Sequence, residues 1–333
     1  MLLGPFGDLQ AADRRMAPIY FSGGSGENMP MDTMKSQPPL IILDGALGTE
    51  LTRRGVNTTL PLWSAKALID APEVVAQIHR DYVNAGAQVI TTNTFRTNRR
   101  VLERAGLGDR MRELTTTAVQ LAHQARSPGV RVAGSLAPVE DCYTPALVPD
   151  AATLVAEHNE LAGYLAAAGC DFILVETMNM IREAVAATQA AARTGLPVWV
   201  SFTLNASNAL ISGETLRDAV QAVLPFGPKA ILVNCIPVAQ VASAVRELRV
   251  ILPDTPDAIQ IGAYGNVGHV DETVGWTLTH AVSPTQYAQA AHEWREIGAS
   301  IIGGCCGTTP AHVEKLSHHH RQKDDVLTRA QHQ

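Results

Sequence analysis

The chain has 333 residues, of which 46% are hydrophobic and 17% charged, a composition typical of a globular protein rather than a disordered or fibrous one. Its formal net charge is -6, and it has no long basic run. The basic patch that is typical of nucleic-acid binding is therefore not seen in the sequence, and a small-molecule partner is favoured. No apolar stretch approaches the roughly 18 residues that cross a bilayer, and the first residues lack the features of a secretory signal. We therefore expect a cytoplasmic protein with no membrane partner.

The two ends of the chain differ from its middle in composition. Residues 1–38 contain glycine, proline and methionine without helical or strand periodicity, so we predict a flexible N-terminal arm. Residues 318–333 are polar and charged, and we predict a C-terminal tail there. One folded domain is expected between them, over residues 39–317.

Short apolar runs recur along the middle of the chain and predict eight strands. They are residues 40–43, 88–92, 130–133, 172–175, 198–202, 230–233, 258–261 and 300–302. Helix-length stretches with one apolar face separate them, as in the segment from Leu114 to Ala125. Gly86, Gly169 and Gly298 each stand just ahead of a strand, where a helix should end.

This alternation predicts an α/β fold with a single TIM barrel, a closed (β/α)8 barrel. Strands that are apolar almost throughout are typical of parallel sheets, because such sheets are covered on both faces. A doubly wound open sheet is the alternative. In a barrel, reactive groups are expected just beyond the carboxyl ends of the strands.

Six of the eight predicted strands are followed by a polar or sulfur-containing side chain. These residues are Asp44, Asn93, Ser135, Glu176, Asn234, Cys235, Cys305 and Cys306. In a barrel all of them face one end. Strands six and eight are near neighbours around a closed ring, so the sulfur of Cys235 can meet those of Cys305 and Cys306, about seventy residues later in the chain.

The five cysteines are an odd number and too few for a disulfide scaffold. Zinc prefers thiolate ligands, and three protein ligands with one open position are typical of a catalytic site. Glycines on both sides of the adjacent Cys305 and Cys306 allow both side chains to turn inward. The alternative for any single cysteine is burial as a small apolar residue, and we retain that interpretation for Cys142 and Cys170.

Six short motifs lie at or just after the predicted strands. They are Leu43–Leu51, Leu62–Ala65, Thr91–Phe95, Gly134–Pro138, Val233–Cys235 and Gly303–Pro310. Together they resemble the homocysteine S-methyltransferase family over about residues 39–316, and the Gly-Gly-Cys-Cys-Gly block is highly specific in that setting. The family includes S-methylmethionine-dependent and betaine-dependent enzymes and the homocysteine module of cobalamin-dependent methionine synthase.

The resemblance implies a zinc-dependent methyltransferase that makes methionine from homocysteine. It implies that Zn2+ is held by three cysteines and that the homocysteine sulfur takes the fourth position. Asp44 and Glu176 match the positions that receive the amino group of the substrate, and two carboxylates suit a partly buried cation. The ligand cysteines and the remaining substrate-site candidates are Cys235, Cys305, Cys306, Asn93, Ser135 and Asn234.

The methyl donor is expected to be a small cation, because three thiolates make the site negative. The aromatic side chains that could face it through cation–π contact are Trp63, Phe95, Tyr264 and Trp276, with plain packing as the alternative. The surroundings of Trp63 look closest to the branch that uses S-methylmethionine or S-adenosylmethionine. The segment Tyr264–Gly268 departs from the Tyr-Pro-Asn-Ser-Gly pattern of that branch.

Three alternatives stay open at the level of the sequence. The donor could be betaine or dimethylsulfoniopropionate, and the acceptor could be another small thiol or a selenol. A third alternative is a non-catalytic barrel that binds zinc or senses thiols. A monomer and a small homo-oligomer fit the sequence equally well.

Overall fold

The computed structural model describes residues 38–252, 259–271, 275–277 and 282–319. The predicted N-terminal arm up to residue 37 and the end of the predicted tail, residues 320–333, lie outside the described residues. The side chains of residues 269–271 and 275–277 also lie outside them, and the donor-pocket candidate Trp276 is one of these.

Eight parallel strands form one closed sheet. They are β1 (Ile41–Ile42), β2 (Val89–Thr91), β3 (Arg131–Leu136), β4 (Phe172–Met178), β5 (Val198–Phe202), β6 (Ala230–Pro237), β7 (Gln260–Asn266) and β10 (Ile301–Gly304). Their hydrogen-bonded order is β1-β10-β7-β6-β5-β4-β3-β2, and a parallel bridge between Leu43 and Val89 joins the two ends. The predicted barrel is therefore confirmed and the open sheet is excluded. A separate antiparallel pair, β8 (His269–Asp271) and β9 (Gly275–Thr277), follows β7.

Helices alternate with the strands and pack on their outer faces. They are α1 (Leu47–Arg53), α2 (Ala67–Asp70), α3 (Pro72–Asn84), α4 (Arg99–Arg104), α5 (Met111–Ala125), α6 (Ala151–Ala168), α7 (Ile181–Arg193), α8 (Leu216–Val223), α9 (Val238–Ile251), α10 (Pro284–Ile297) and α11 (310–319), with short 3-10 helices at Trp63–Lys66, Gly108–Arg110, Pro145–Leu147 and Leu224–Phe226. The predicted helix ends at Gly169 and Gly298 are confirmed, with φ angles of 93° and 128° that favour glycine. No described helix is long and apolar enough to span a membrane.

The core has two layers separated by the sheet. One cluster includes Phe172 and Trp199, whose ring centroids lie 4.3 Å apart, and it fills the inside of the barrel. The next residues along the same strands, Ile173 and Val200, belong to the larger cluster against the helices. The guanidinium of Arg131 stacks over both inner rings at 5.3 and 5.2 Å from their centroids and covers the amino end of the barrel.

The prediction of residues 258–261 for the seventh strand was wrong at its carboxyl end, because β7 continues to Asn266. The glycines after Ile261 resemble a loop in the sequence. In the barrel, Gly262 is needed for packing, since a Cβ atom there would lie 2.6 Å from Cδ2 of Leu232. Strands β3, β4 and β6 also run further than predicted, so that Ser135, Glu176 and Cys235 lie within strands.

Candidate active site

Cys235 is aimed at the other two cysteines by an irregularity in β6. The pairing of β6 with β7 shifts register between Asn234 and Pro237, and Cys235 has a φ angle of 55°. Few residues other than glycine adopt this left-handed conformation, and a β-bulge of this kind redirects a side chain. The thiol consequently lies 3.1 Å from Sγ of Cys305, the first residue after β10.

The three sulfur atoms form a compact cluster that fits one metal ion. Sγ of Cys235 lies 4.0 Å from Sγ of Cys306, and all three Sγ atoms lie within 4.8 Å of one another. A tetrahedral zinc with Zn–S bonds of about 2.3 Å would place its sulfur ligands about 3.8 Å apart. Hydrogen bonds from Cys235 and Cys306 hold the pKa of Cys305 well below the usual thiol range, so the cluster favours a thiolate.

Two buried hydroxyls hold the turn that carries the adjacent cysteines. The Thr308 hydroxyl donates to the carbonyl of Cys305 at 2.7 Å and accepts from the backbone N–H of Ala46 at 3.2 Å. The Tyr287 hydroxyl donates to the carbonyl of Gly303 at 2.7 Å. These bonds fix the backbone from which both thiols project.

Asp44 lies just past β1 and is buried. Its Oδ2 accepts from the backbone N–H of Thr91 at 2.7 Å, and its Oδ1 accepts from the Thr91 hydroxyl at 3.0 Å. Burial raises the pKa of Asp44 to about 8 despite these hydrogen bonds, and the carboxylate of Glu176 adds to the rise.

Glu176 projects from β4 and is the second buried carboxylate. Its Oε1 accepts from the Ser135 hydroxyl at 2.5 Å, and its Oε2 accepts from the Tyr264 hydroxyl at 3.1 Å. Burial raises the pKa of Glu176 to about 7, with a further contribution from Cys305. Among the described residues, neither carboxyl group has a cationic partner that would keep it fully ionised, and a ligand ammonium would supply one.

A cavity at the carboxyl end of the barrel joins the cysteines to the carboxylates. It has an empty volume of about 660 Å³, part of it open to solvent. Its wall includes Asp44, Glu176, Cys305, Cys306, Asn93, Trp63, Phe95 and Tyr264. The structure therefore brings most of the predicted site residues to one cavity, although they come from strands far apart in the sequence.

The family of the chain follows from comparison with known proteins. A family model described as homocysteine S-methyltransferase matches residues 41–319. The chain belongs to this family. The homocysteine S-methyltransferase of Escherichia coli (strain K12) is 31% identical over 314 residues, covering 87% of this chain and 98% of that protein. The homocysteine S-methyltransferase YbgG of Bacillus subtilis (strain 168) is 29% identical, covering 86% of this chain and 96% of that protein.

A solved structure agrees with the sequence relatives. The metallated form of the homocysteine methyltransferase MmuM from Escherichia coli aligns with a TM-score of 0.73 at 29% identity, covering 84% of this chain and 96% of that one. The protein is accordingly an enzyme with homocysteine S-methyltransferase activity. Membership in this enzyme family does not support the alternative of a non-catalytic barrel.

Two of the predicted substrate residues of this homocysteine S-methyltransferase bond to other side chains of the site. Oδ1 of Asn234 accepts from the Ser201 hydroxyl at 2.7 Å and from the backbone N–H of Thr177 at 3.1 Å, and Nδ2 donates to the Thr177 hydroxyl at 2.8 Å. Thr177 has a φ angle of 61°, so Asn234 holds the strained residue next to Glu176. Ser135 likewise orients Glu176.

The aromatic candidates separate into two groups. Trp63 and Phe95 form an edge-to-face pair with ring centroids 5.7 Å apart on the cavity wall. Trp63 packs over Gly48, where a Cβ atom would lie 2.3 Å from its ring. Tyr264 instead has its hydroxyl on Glu176, at the carboxylates.

The sequence did not single out the residues that hold the reactive groups in place. Thr91, Thr177, Ser201, Tyr287 and Thr308 donate or accept the hydrogen bonds that orient the carboxylates and the cysteine turn. A threonine or tyrosine near a strand end carries no spacing signal of its own. The motif Thr308-Thr309-Pro310, which Gly307 separates from the cysteine pair, is the one place where proximity could have suggested such a role.

Proposed function

We propose that this homocysteine S-methyltransferase binds Zn2+ through Cys235, Cys305 and Cys306 and methylates homocysteine with a sulfonium donor, S-methylmethionine or S-adenosylmethionine. The observation that carries the proposal is the convergence of three sulfur atoms, within 4.8 Å of one another, beside a cavity that also contains two buried carboxyl groups. This arrangement offers one site for a thiol and one for an ammonium group, which are the two ends of homocysteine.

Asp44 and Glu176 are proposed to bind the ammonium group of homocysteine. Their raised pKa values reflect burial without a cation, so an ammonium between them would favour the ionised form of both and be bound in return. The hydrogen bonds from Thr91 and Ser135 fix the carboxylate oxygens before the substrate arrives.

The acceptor sulfur is proposed to lie at the cysteine cluster. Bound Zn2+ supplies Lewis acidity that lowers the pKa of a coordinated thiol, so that the thiol loses its proton near neutral pH. The chain orients the thiolate toward the donor through the ammonium site and the cysteine turn. A new S–C bond forms as the donor S–CH3 bond breaks, and the electron pair of that bond neutralises the donor sulfur. S-methylmethionine and homocysteine thus yield two molecules of methionine and one proton.

A cationic donor is supported by the charge and the wall of the cavity. Metal-bound thiolates make this end of the site negative, and the faces of Trp63 and Phe95 can contact a sulfonium group. The same features suit betaine or dimethylsulfoniopropionate, which are therefore the second candidates for the donor.

A donor-by-acceptor matrix tests the proposal. Zinc-loaded protein is incubated with S-methylmethionine, S-adenosylmethionine, betaine or dimethylsulfoniopropionate, each with homocysteine, its selenol analogue or another small thiol. Mass spectrometry of the methylated product identifies the pair with the largest kcat/KM. We expect methionine from homocysteine and a sulfonium donor. Absence of product with every sulfonium and betaine donor would contradict the proposal, and a preference for betaine would replace the donor while leaving the acceptor chemistry intact.

A further inference from the structure

Two hydrogen-bond donors in loops at the carboxyl end of the barrel are buried and have no partner among the described residues. They are Nε of Arg96 and the hydroxyl of Tyr143. Arg96 follows β2, and Tyr143 lies in the segment between β3 and α6, so both belong to the carboxyl end of the barrel. An unpaired buried donor is costly, and a bound ligand or an ordered water is one explanation for such a group.

The guanidinium of Arg96 lies against the aromatic wall of the cavity. Its Cζ lies 5.7 Å from the ring centroid of Phe95, and Phe95 itself lines the cavity. Among the described residues, its guanidinium makes one weak hydrogen bond, 3.4 Å from Nη1 to the carbonyl of Glu140. No carboxylate of the described residues pairs with it. By contrast, the next arginines along the chain are paired, Arg99 with Glu160, Arg100 with Glu157 and Arg104 with Glu140.

Tyr143 places a hydroxyl close to the sulfur cluster. Its hydroxyl is buried, interacts electrostatically with Cys235, Cys305 and Cys306, and can donate a hydrogen bond to a ligand. The carbonyl that accepts from Nη1 of Arg96 belongs to Glu140, three residues before Tyr143. The guanidinium therefore contacts the same segment that carries Tyr143.

We propose that Arg96 and Tyr143 bind the carboxylate of the methyl donor and thereby select against cationic donors that lack an acid group. This inference rests on the proposed function and names residues that determine donor specificity at the same site. A carboxylate has two oxygens that can accept from a guanidinium and a phenol together. The cationic centre of the same molecule would then lie toward Trp63 and the sulfur cluster.

A guanidinium without a carboxylate partner among the described residues also argues against donors that are cations without an acid group. Such a donor would bring a second positive charge toward Arg96 and would leave the guanidinium without a counter-charge. A zwitterion would satisfy both charges, because its cation would face the thiolates and its carboxylate would face Arg96 beside Phe95. Arg96 is therefore proposed as a residue that determines donor specificity and positions the donor.

The test uses a donor pair that differs in the carboxylate. S-methylmethionine is compared with its carboxamide derivative, at saturating homocysteine, in zinc-loaded wild type, Arg96→Gln, Arg96→Lys, Tyr143→Phe and the matched control Arg99→Gln. We expect wild type to prefer the carboxylate by about tenfold or more, as loss of a charge-assisted hydrogen bond predicts. Arg96→Gln should reduce kcat/KM for S-methylmethionine about 10- to 100-fold, mainly through a higher KM. The same substitution should change kcat/KM for the carboxamide by less than about twofold.

The other variants sharpen the result. Arg96→Lys should recover part of the preference and Tyr143→Phe should lose part of it, while Arg99→Gln should match wild type in both donors. An equal loss of kcat/KM with both donors in Arg96→Gln would overturn the inference. So would a variant in which the KM for homocysteine rises and the KM for the donor does not. Calorimetric binding of the two donors to the same variants gives the answer without turnover. If wild type binds S-methylmethionine, Arg96→Gln does not, and wild type transfers no methyl group, the proposed function is contradicted and the inference about Arg96 is not.

Discussion

Several residues at the carboxyl end of the barrel destabilise the protein when no ligand is bound. Asp44 and Glu176 are buried carboxyl groups with raised pKa values, and the three thiols crowd within 4.8 Å of one another. Each group would be more stable with an opposite charge beside it. The proposed ligands would therefore stabilise the site, and the binding of each can be tested by replacing one side chain.

Replacement of one cysteine should remove the metal. We expect Cys306→Ala to bind less than a tenth of the zinc that wild type binds and to lose methyl transfer by at least about 1,000-fold, because two thiolates cannot complete the site. Zinc content by plasma emission spectroscopy and initial rates with homocysteine measure both effects. The control is Cys170→Ala, a buried cysteine away from the cluster, which should keep its zinc and lose about 1 kcal/mol of stability. Full activity of metal-free Cys306→Ala would contradict the assignment.

Replacement of Glu176 by glutamine should weaken homocysteine binding. The amide can still bond to Ser135 and Tyr264, but it lacks the charge that attracts an ammonium. We expect the KM of Glu176→Gln for homocysteine to rise about 10- to 100-fold relative to wild type. In wild type, the KM for homocysteine should fall as pH rises from 6 to 9, because the carboxyl groups with pKa values of about 7 and 8 become ionised. Initial-rate kinetics across this range provide the check, with the exposed Glu113→Gln as control. An unchanged KM in Glu176→Gln would remove this residue from the ammonium site.

The same substitution should change the dependence of stability on pH. In the metal-free protein, Glu176 has a folded-state pKa of about 7 against an ordinary value of 4.5, so its stabilising contribution is complete below pH 4.5 and is lost as pH rises through 7. Glu176→Gln does not titrate. We expect the variant to be more stable than wild type by about 1–3 kcal/mol at pH 8 and to lose this advantage at pH 4.5. Urea unfolding at both pH values measures the difference, and an advantage that is larger at low pH would have the wrong sign.

Strand ends are the elements in which sequence and structure differ most. The apolar runs located all eight strands of the barrel, but β4 and β6 continue past them through bulges at Thr177 and Cys235. A bulge depends on register against the neighbouring strand, which no local pattern records. The sequence therefore predicted that Glu176 and Cys235 meet at the barrel mouth but not the strained backbone that aims them.

The glycines before the cysteine pair are predicted to be essential for the close approach of β10 to β1. A Cβ atom on Gly303 would lie 2.4 Å from Cβ of Leu43 and 2.9 Å from the carbonyl of Asp44. We expect Gly303→Ala to lower the free energy of unfolding by about 2–3 kcal/mol and to reduce activity, because the backbone beside Asp44 must move. The control is Gly163→Ala, because Gly163 lies on the exposed face of α6 and a Cβ atom there would have no other atom within 4 Å. This substitution should raise the free energy of unfolding by about 0.5–1 kcal/mol. Equal denaturation midpoints for the two variants would refute the packing argument.

At the scale of the whole molecule, barrel closure explains why the site was predictable. Cys235 and Cys305 are seventy residues apart, yet β7 alone separates their strands in the sheet order. Alternation of strands and helices fixes that topology, so the chemistry of strand-end residues could be located from the sequence. The hydrogen bonds of Thr91, Ser135 and Thr308 could not be located from the sequence. They depend on distances across the barrel that must be known to about one ångström.

The central claim is that the three cysteines form a zinc site whose open position takes the homocysteine sulfur. Zinc X-ray absorption of the zinc-loaded enzyme tests it most directly, before and after addition of homocysteine. We predict three sulfur ligands at about 2.3 Å plus one lighter ligand without substrate, and four sulfur ligands with it. A spectrum with fewer than three sulfur ligands, or one that homocysteine leaves unchanged, would contradict the account.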